Sequence, residues 1–272
     1  MSKPMPVVFV SHGAPDALLK APDTMDCWRE IVRHIPQPAA ILAISAHWDA
    51  PQPTLSLAAA PKTIHDFSGF APALSLMQYP APGAPALARQ ATALLSAAGL
   101  AADLHPSRGL DHGAWMPLTI FYPEANVPVT QLSLMRNASA ASHFAIGQAL
   151  APLRAEGVLI IASGAITHNF NWLDWQPANN HVPVPKAQHF ADWVARQLAT
   201  GDIAALLDYR SAPYGAEAHP SEEHLLPLFV ALGAAQGEPP QPCRPHFSYA
   251  GLAMDAYVWG NPSTTAFIEP IH

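Results

Sequence analysis

The sequence predicts an α/β fold, a single domain in which a mostly parallel central sheet is flanked by helices. Three observations predict it. Short apolar runs rich in β-branched residues recur along the chain, segments of helical length separate them, and Pro or Gly punctuates the junctions.

The elements follow in order. Pro6–Val10 (PVVFV) and Ile41–Ile44, within AAILAISA, are continuous and apolar, as strands buried on both faces are. A helix is expected over Thr24–His34, with Asp23 as its cap. Asp49–Gly83 reads as loop, apart from a short strand near Thr54–Ala58. The next helix, Ala84–Ala98, has Pro85 near its start and Gly99 just past its end, the usual asymmetry. Val127–Leu134 (VPVTQLSL) and Val158–Ala162 (VLIIA) are further strands, with a helix at Ala140–Arg154 between them. Asn171–Pro185 reads as loop, and Lys186–Leu198 and Ser221–Leu232 as helices. Phe247–Leu252 and Met254–Trp259 are expected as edge strands. No repeat or linker-like shift divides the chain, so residues 1–260 are expected to form one domain and 261–272 a C-terminal tail.

Composition narrows the function. Of 272 residues, 50% are hydrophobic and 12% charged, which excludes an intrinsically disordered chain. The net charge is −7 with 13 Lys+Arg and no basic run, which disfavours nucleic acid as a partner. Cys27 and Cys243 belong to no C-x-x-C pair and are expected to give neither a disulfide framework nor a cysteine zinc site. The apolar stretch after the N-terminus is too short for a signal-peptide core. No run approaches the roughly 20 residues that span a bilayer, so no membrane partner and a cytoplasmic location are expected. Oligomeric state is not legible in the sequence.

Histidine stands out: 14 residues, more than all Lys and Arg together. His12 (SHGAP), His47 (SAHW) and His168 (THNF) each follow an apolar strand run, and His224 (EEHLLPL) opens an expected helix. Ligands in open α/β sheets bind beyond the carboxyl ends of strands, and histidine is the commonest metal ligand. A lone histidine there is ordinarily a hydrogen-bonded loop residue; delivery from three strand runs points to a metal site. DHGAW (Asp111–Trp115) reads either as a turn or as an Asp orienting His112. TIHDFSGF (Thr63–Phe70) places His65 and Asp66 beside Phe67 and Phe70, which suits a flat ring substrate or simply pins the loop to the core. His34 suits a helix end, and His105, His143, His181, His189, His219, His246 and His272 read as structural or surface residues.

SHGAP, SAHW, TIHDFSGF, YPAPG (Tyr79–Gly83), DHGAW, THNF and EEHLLPL, in this order, resemble the 4,5-DOPA dioxygenase family. That family belongs to the class III extradiol ring-cleaving dioxygenases, related to the catalytic subunit of protocatechuate 4,5-dioxygenase. The likeness runs from Val7 to about Gly260. It implies a non-haem iron(II) site, with Zn2+ possible in purified protein, acting on a small catecholic substrate (DOPA, caffeate or similar) and O2 to give a muconic semialdehyde. His12 and His47 match the two imidazole ligands. His224 falls where the wider superfamily places a glutamate, with Glu223 as a fallback ligand. His168 matches an acid/base beside the metal that is also a possible ligand, and His112 a histidine facing substrate. His65 and Asp66 are candidate substrate contacts. Lys62, Arg108 and Arg210 are the candidate partners for a substrate carboxylate.

Two other readings compete. A zinc hydrolase on the same histidines would use metal-bound water with Glu222 or Glu223 nearby. A non-catalytic Memo-like binding protein would not need all of His12, His47, His168 and His224.

Overall fold

A computed structural model describes residues 3–176 and 182–260; the expected tail at 261–272 and part of the Asn171–Pro185 loop lie outside them. In chain order the elements are β1 (Val7–Ser11), α1 (Ala17–Lys20), α2 (Pro22–Arg33), β2 (Ala40–Ala50), β3 (Thr54–Ser56), α3 (Pro72–Leu76), α4 (Pro85–Ala97) and β4 (Asp103–His105). There follow α5 (His112–Phe121), β5 (Val129–Met135), α6 (Ala140–Leu150), β6 (Val158–Gly164), α7 (Pro185–Thr200), α8 (Ile203–Leu207), α9 (Gly215–Ala218), α10 (Leu226–Ala235), β7 (Pro240–Cys243) and β8 (Ala256–Trp259).

The strands form one sheet in the order β4-β3-β5-β2-β6-β1-β8-β7. Its centre, β5-β2-β6-β1, is parallel throughout, as the continuous apolar runs predict. The antiparallel pairings lie outside it, β3 against β5, β8 against β1 and β7 against β8. Successive residues of β1 feed opposite cores: Val7 and Phe9 pack with α4, α6, α7 and α10, whereas Val8 and Val10 pack with α2 and α5. Each such side chain, fully buried, contributes about 1.5–3 kcal/mol. All ten residues of α10 are buried, the condition expected of a helix apolar on every side.

Several local expectations give way to tertiary context. Phe247–Leu252 is a turn closed by a single Ser248–Leu252 bridge, not a strand, with Tyr249 and Ala250 at positive φ. The edge strand is instead β7, whose two prolines hide it from a propensity reading. Asp23 does not cap α2; Pro22 occupies the first turn, Ala21 the cap position, and Asp23 accepts hydrogen bonds from His246. The helix after β5 ends at Leu150 and continues to Glu156 as a 3₁₀ turn around Pro152. Cys27 of α2 and Cys243 of β7, 216 residues apart, are joined as a disulfide with Cα atoms 6.1 Å apart; lone cysteines this distant carry no spacing signal. Among the described residues no helix is long and apolar enough to cross a membrane.

Candidate active site

The carboxyl ends of the parallel strands deliver the histidines to one place. His12 directly follows β1, and its backbone N–H donates to the Gly164 carbonyl at the end of β6. His47 lies within β2, where the ladder to β5 loses register between Ile44 and Asp49. Irregularities of this kind re-aim side chains beside functional sites. His224 precedes α10 rather than opening it, because the helix begins only at Leu226 with Pro227 in its first turn. The His224 carbonyl accepts from the Ala165 N–H at 2.8 Å. A Cβ on Gly164 would stand 2.1 Å from that carbonyl, so the close approach requires glycine.

DHGAW is neither a plain turn nor an Asp orienting its neighbour. Asp111 caps α5 by accepting from the Ala114 N–H, and its carboxylate also takes Arg108 at 3.1 Å and Gln131 at 2.5 Å. His112 therefore starts a helix whose first turn presses on the site. A Cβ on Gly113 would lie 2.3 Å from Ser45 Oγ, 3.1 Å from His47 and 3.2 Å from His12. The residue that orients His112 is Asp66, which accepts from its backbone N–H at 3.0 Å and from ring Nδ1 at 2.9 Å. A second oxygen of Asp66 lies 3.6 Å from His47 Nδ1.

Ligand atoms of His12, His47 and His224 all lie within 4.8 Å of one another, with Nε2 of His12 and Nε2 of His47 3.0 Å apart. Each ring has an anchor on its other nitrogen side: Ser163 Oγ for His12 at 2.9 Å, Glu223 Oε1 for His224 at 3.0 Å, and Asp66 for His47. Such partners fix the ring orientation of metal-binding imidazoles. Burial, reinforced by neighbouring imidazoles, pushes His12 and His224 well below the usual histidine range and His47 down to about 4. All three are thus neutral near pH 7, the form in which histidine binds a metal. The donor set fits a divalent ion with positions left open toward the cavity.

His168 stacks face to face on His224, ring centroids 3.5 Å apart, and groups with Glu223 and His224 rather than with His12 and His47. Burial lowers it against the opposing pull of Glu223, so it too is neutral. For Asp66, burial alone would raise the carboxyl, but hydrogen bonds and charge from His112 outweigh it and bring it down to about 2.

The histidines floor a cavity of about 180 Å³ whose walls include Phe67, Phe70, Phe170, Leu173, Trp175 and Leu252. His65 is not in that wall; its Nε2 bonds the Met77 carbonyl at 2.9 Å and its ring packs on Phe67 and Trp115. Asp66 also stands behind the wall. Arg108 is committed to Asp111 and the Trp48 face, Arg210 to Glu222, and neither they nor Lys62 line the cavity. Pairing of Asp66 with His112, 46 residues on, is the feature that spacing does not reveal.

Comparison with known proteins decides the class. Residues 4–260 match the family described as the catalytic LigB subunit of aromatic ring-opening dioxygenase. The chain belongs to this family. Among the ring-opening dioxygenases it is 42% identical over 233 residues to a 4,5-DOPA dioxygenase extradiol of Beta vulgaris, covering 84% of this chain and 85% of that protein. It is 37% identical over 239 residues to one of Escherichia coli, covering 87% of each. A crystal structure of an uncharacterized protein from Escherichia coli K12 superposes with a TM-score of 0.78 at 31% identity, covering 94% of this chain and 99% of that one. Family membership and the histidine floor together make this chain a metal-binding dioxygenase that opens an aromatic ring.

Proposed function

We propose that this chain cleaves a catechol in the extradiol manner, at an iron(II) held by His12, His47 and His224, with residues 4–260 as its catalytic domain. The observation that carries the reading is the convergence of three neutral, individually anchored imidazoles on the floor of an aromatic-walled cavity. Extradiol cleavage of a catechol is the activity of this family's 4,5-DOPA dioxygenase relatives, and a DOPA- or caffeate-type catechol is the substrate proposed here. Iron(II) supplies a redox-active centre for catechol and dioxygen, which zinc does not.

The chain's own groups do the rest. His168, neutral and beside the ligand cluster, takes a catechol proton and later returns it to the opening ring. His112, with Nδ1 bound to Asp66, turns its Nε2 to the cavity and steadies oxygen as it adds to the ring. Phe67 and Phe70, set edge to face on each other in the cavity wall, give the substrate ring an apolar surface that keeps water from it. Both atoms of O2 enter the product, a muconic semialdehyde.

Metal-stripped protein loaded anaerobically with iron(II), then given DOPA or caffeate and oxygen, tests the reading. A yellow semialdehyde is expected with iron and not in a zinc-loaded control. No product with either metal across a catechol panel overturns it.

A further inference from the structure

A catechol held by its hydroxyls on the histidine floor points its opposite edge at the walls and mouth of the cavity. Those walls are apolar: Phe67, Leu173 and Leu252 deeper in, then Phe170 and Trp175, which remain 69% and 56% exposed. Asn169 also lines the cavity, but its amide N–H donates to the Glu217 carbonyl at 2.6 Å and its oxygen accepts from the Asn171 N–H at 2.9 Å.

The placement of charge agrees. All thirteen lysines and arginines fall among the described residues, and the cavity wall is built from other side chains. Nine of them are held in ion pairs elsewhere. The charged groups paired with the imidazoles of the floor are carboxylates, Asp66 behind His112 and Glu223 behind His224, while the Arg108 guanidinium reaches only the His47 backbone carbonyl, at 3.3 Å, and pairs with Asp111. A carboxylate fixed to the substrate ring would therefore be desolvated against aromatic carbon with no cation to meet it, an unfavourable transfer. A polar group carried further out on a side chain clears the wall and reaches water at Phe170 and Trp175.

Resting on the catechol reading above, we propose that the cavity selects substrate by charge at the ring: it takes catechols bearing an uncharged carbon substituent and rejects catechols with a carboxylate attached directly to the ring. Phe170, at the mouth, is a specificity-determining residue of this wall.

The test is calorimetric titration of the oxygen-free, iron(II)-loaded protein with 4-ethylcatechol and with 3,4-dihydroxybenzoate, which share a substitution pattern and differ in charge. The carboxylate is expected to bind at least tenfold more weakly; any smaller ratio overturns the proposal. In Phe170→Arg, which puts a cation on an exposed position of the wall, that ratio is expected to fall at least fivefold. A smaller fall overturns the assignment to Phe170. Affinities are read before oxygen is admitted, so their order stands whether or not the ring then opens. Failure of both ligands to give semialdehyde on aeration counts against the proposed reaction alone.

Discussion

The junction between β5 and α6 buries His143, and the strand ends at the cavity bury His12, yet the two imidazoles are used in opposite ways. His143 spends both nitrogens on the backbone: Nδ1 donates to the Ser139 carbonyl at 2.9 Å, and Nε2 accepts from the Met135 N–H at 3.1 Å. His12 spends one, on Ser163, and aims the other at His47. His219 lies behind the site, its Nε2 donating to the Ile166 carbonyl at 2.9 Å, and its buried Nδ1 is left without a partner among the described residues but joins no group of converging ligand atoms. Burial and histidine identity are shared by both regions, so neither marks a ligand. What marks it is a nitrogen left over after the ring has been anchored, pointing at other such nitrogens.

The largest effect that sharpens this contrast is on the cavity side. His112→Ala is expected to lower kcat roughly 100- to 1000-fold, in the range for a lost acid–base or oxygen-stabilising group, with metal content unchanged. Steady-state rates beside metal analysis check it; metal lost together with activity would move His112 into the ligand group.

Acid separates the structural histidine from the carboxylates. Burial brings His219 down to about 4 in the folded protein, against about 6.5 unfolded. The neutral folded form therefore stabilises the protein fully above pH 6.5, and that stability is lost as pH falls from 6.5 through 4. The loss is on the order of 3 kcal/mol. Asp66, held at about 2, contributes a share that is lost only below its ordinary value near 4. Denaturant unfolding of metal-free protein at pH 7, 5.5 and 4.5 should thus reveal a decline before carboxylates titrate; in His219→Gln the decline should shrink. An identical decline in that variant would contradict the account.

Asp66→Asn removes the carboxylate that links His112 to His47 and is expected to lower activity roughly ten- to hundredfold, as loss of an orienting partner does. Restoration by Asp66→Glu would argue for the charge itself, whereas a rate within twofold of wild type would remove Asp66 from the site. Smallest in effect on chemistry, His143→Ala leaves the Met135 N–H unpaired and should cost about 1–3 kcal/mol of stability, with activity per folded molecule unchanged.

How much of this was legible in the sequence follows the range of the interactions. The parallel sheet centre was legible because each strand is locally apolar and continuous, and His12 and His47 were legible because they directly follow or end such runs. His224 was found by motif, but its helix was set too early, since a proline two residues into α10 moves the start past it. Asp111 shows the limit of adjacency: it stands beside His112 in sequence yet serves as a helix cap, while Asp66 from a distant loop orients the ring. His143 and His219 read as polar-context residues because their carbonyl and N–H partners are backbone groups, which sequence does not distinguish. Edge strand β7 and the Cys27–Cys243 link depend on contacts across most of the chain and leave no local trace.

The central claim is that leftover nitrogens converging on one another, not burial, mark the proposed ligands, and metal stoichiometry tests it most directly. Iron(II) bound per chain would be measured anaerobically in wild type, His47→Ala and His143→Ala. The account predicts one ion per chain in wild type and in folded His143→Ala, and none retained in His47→Ala. Equal metal in wild type and His47→Ala would contradict it.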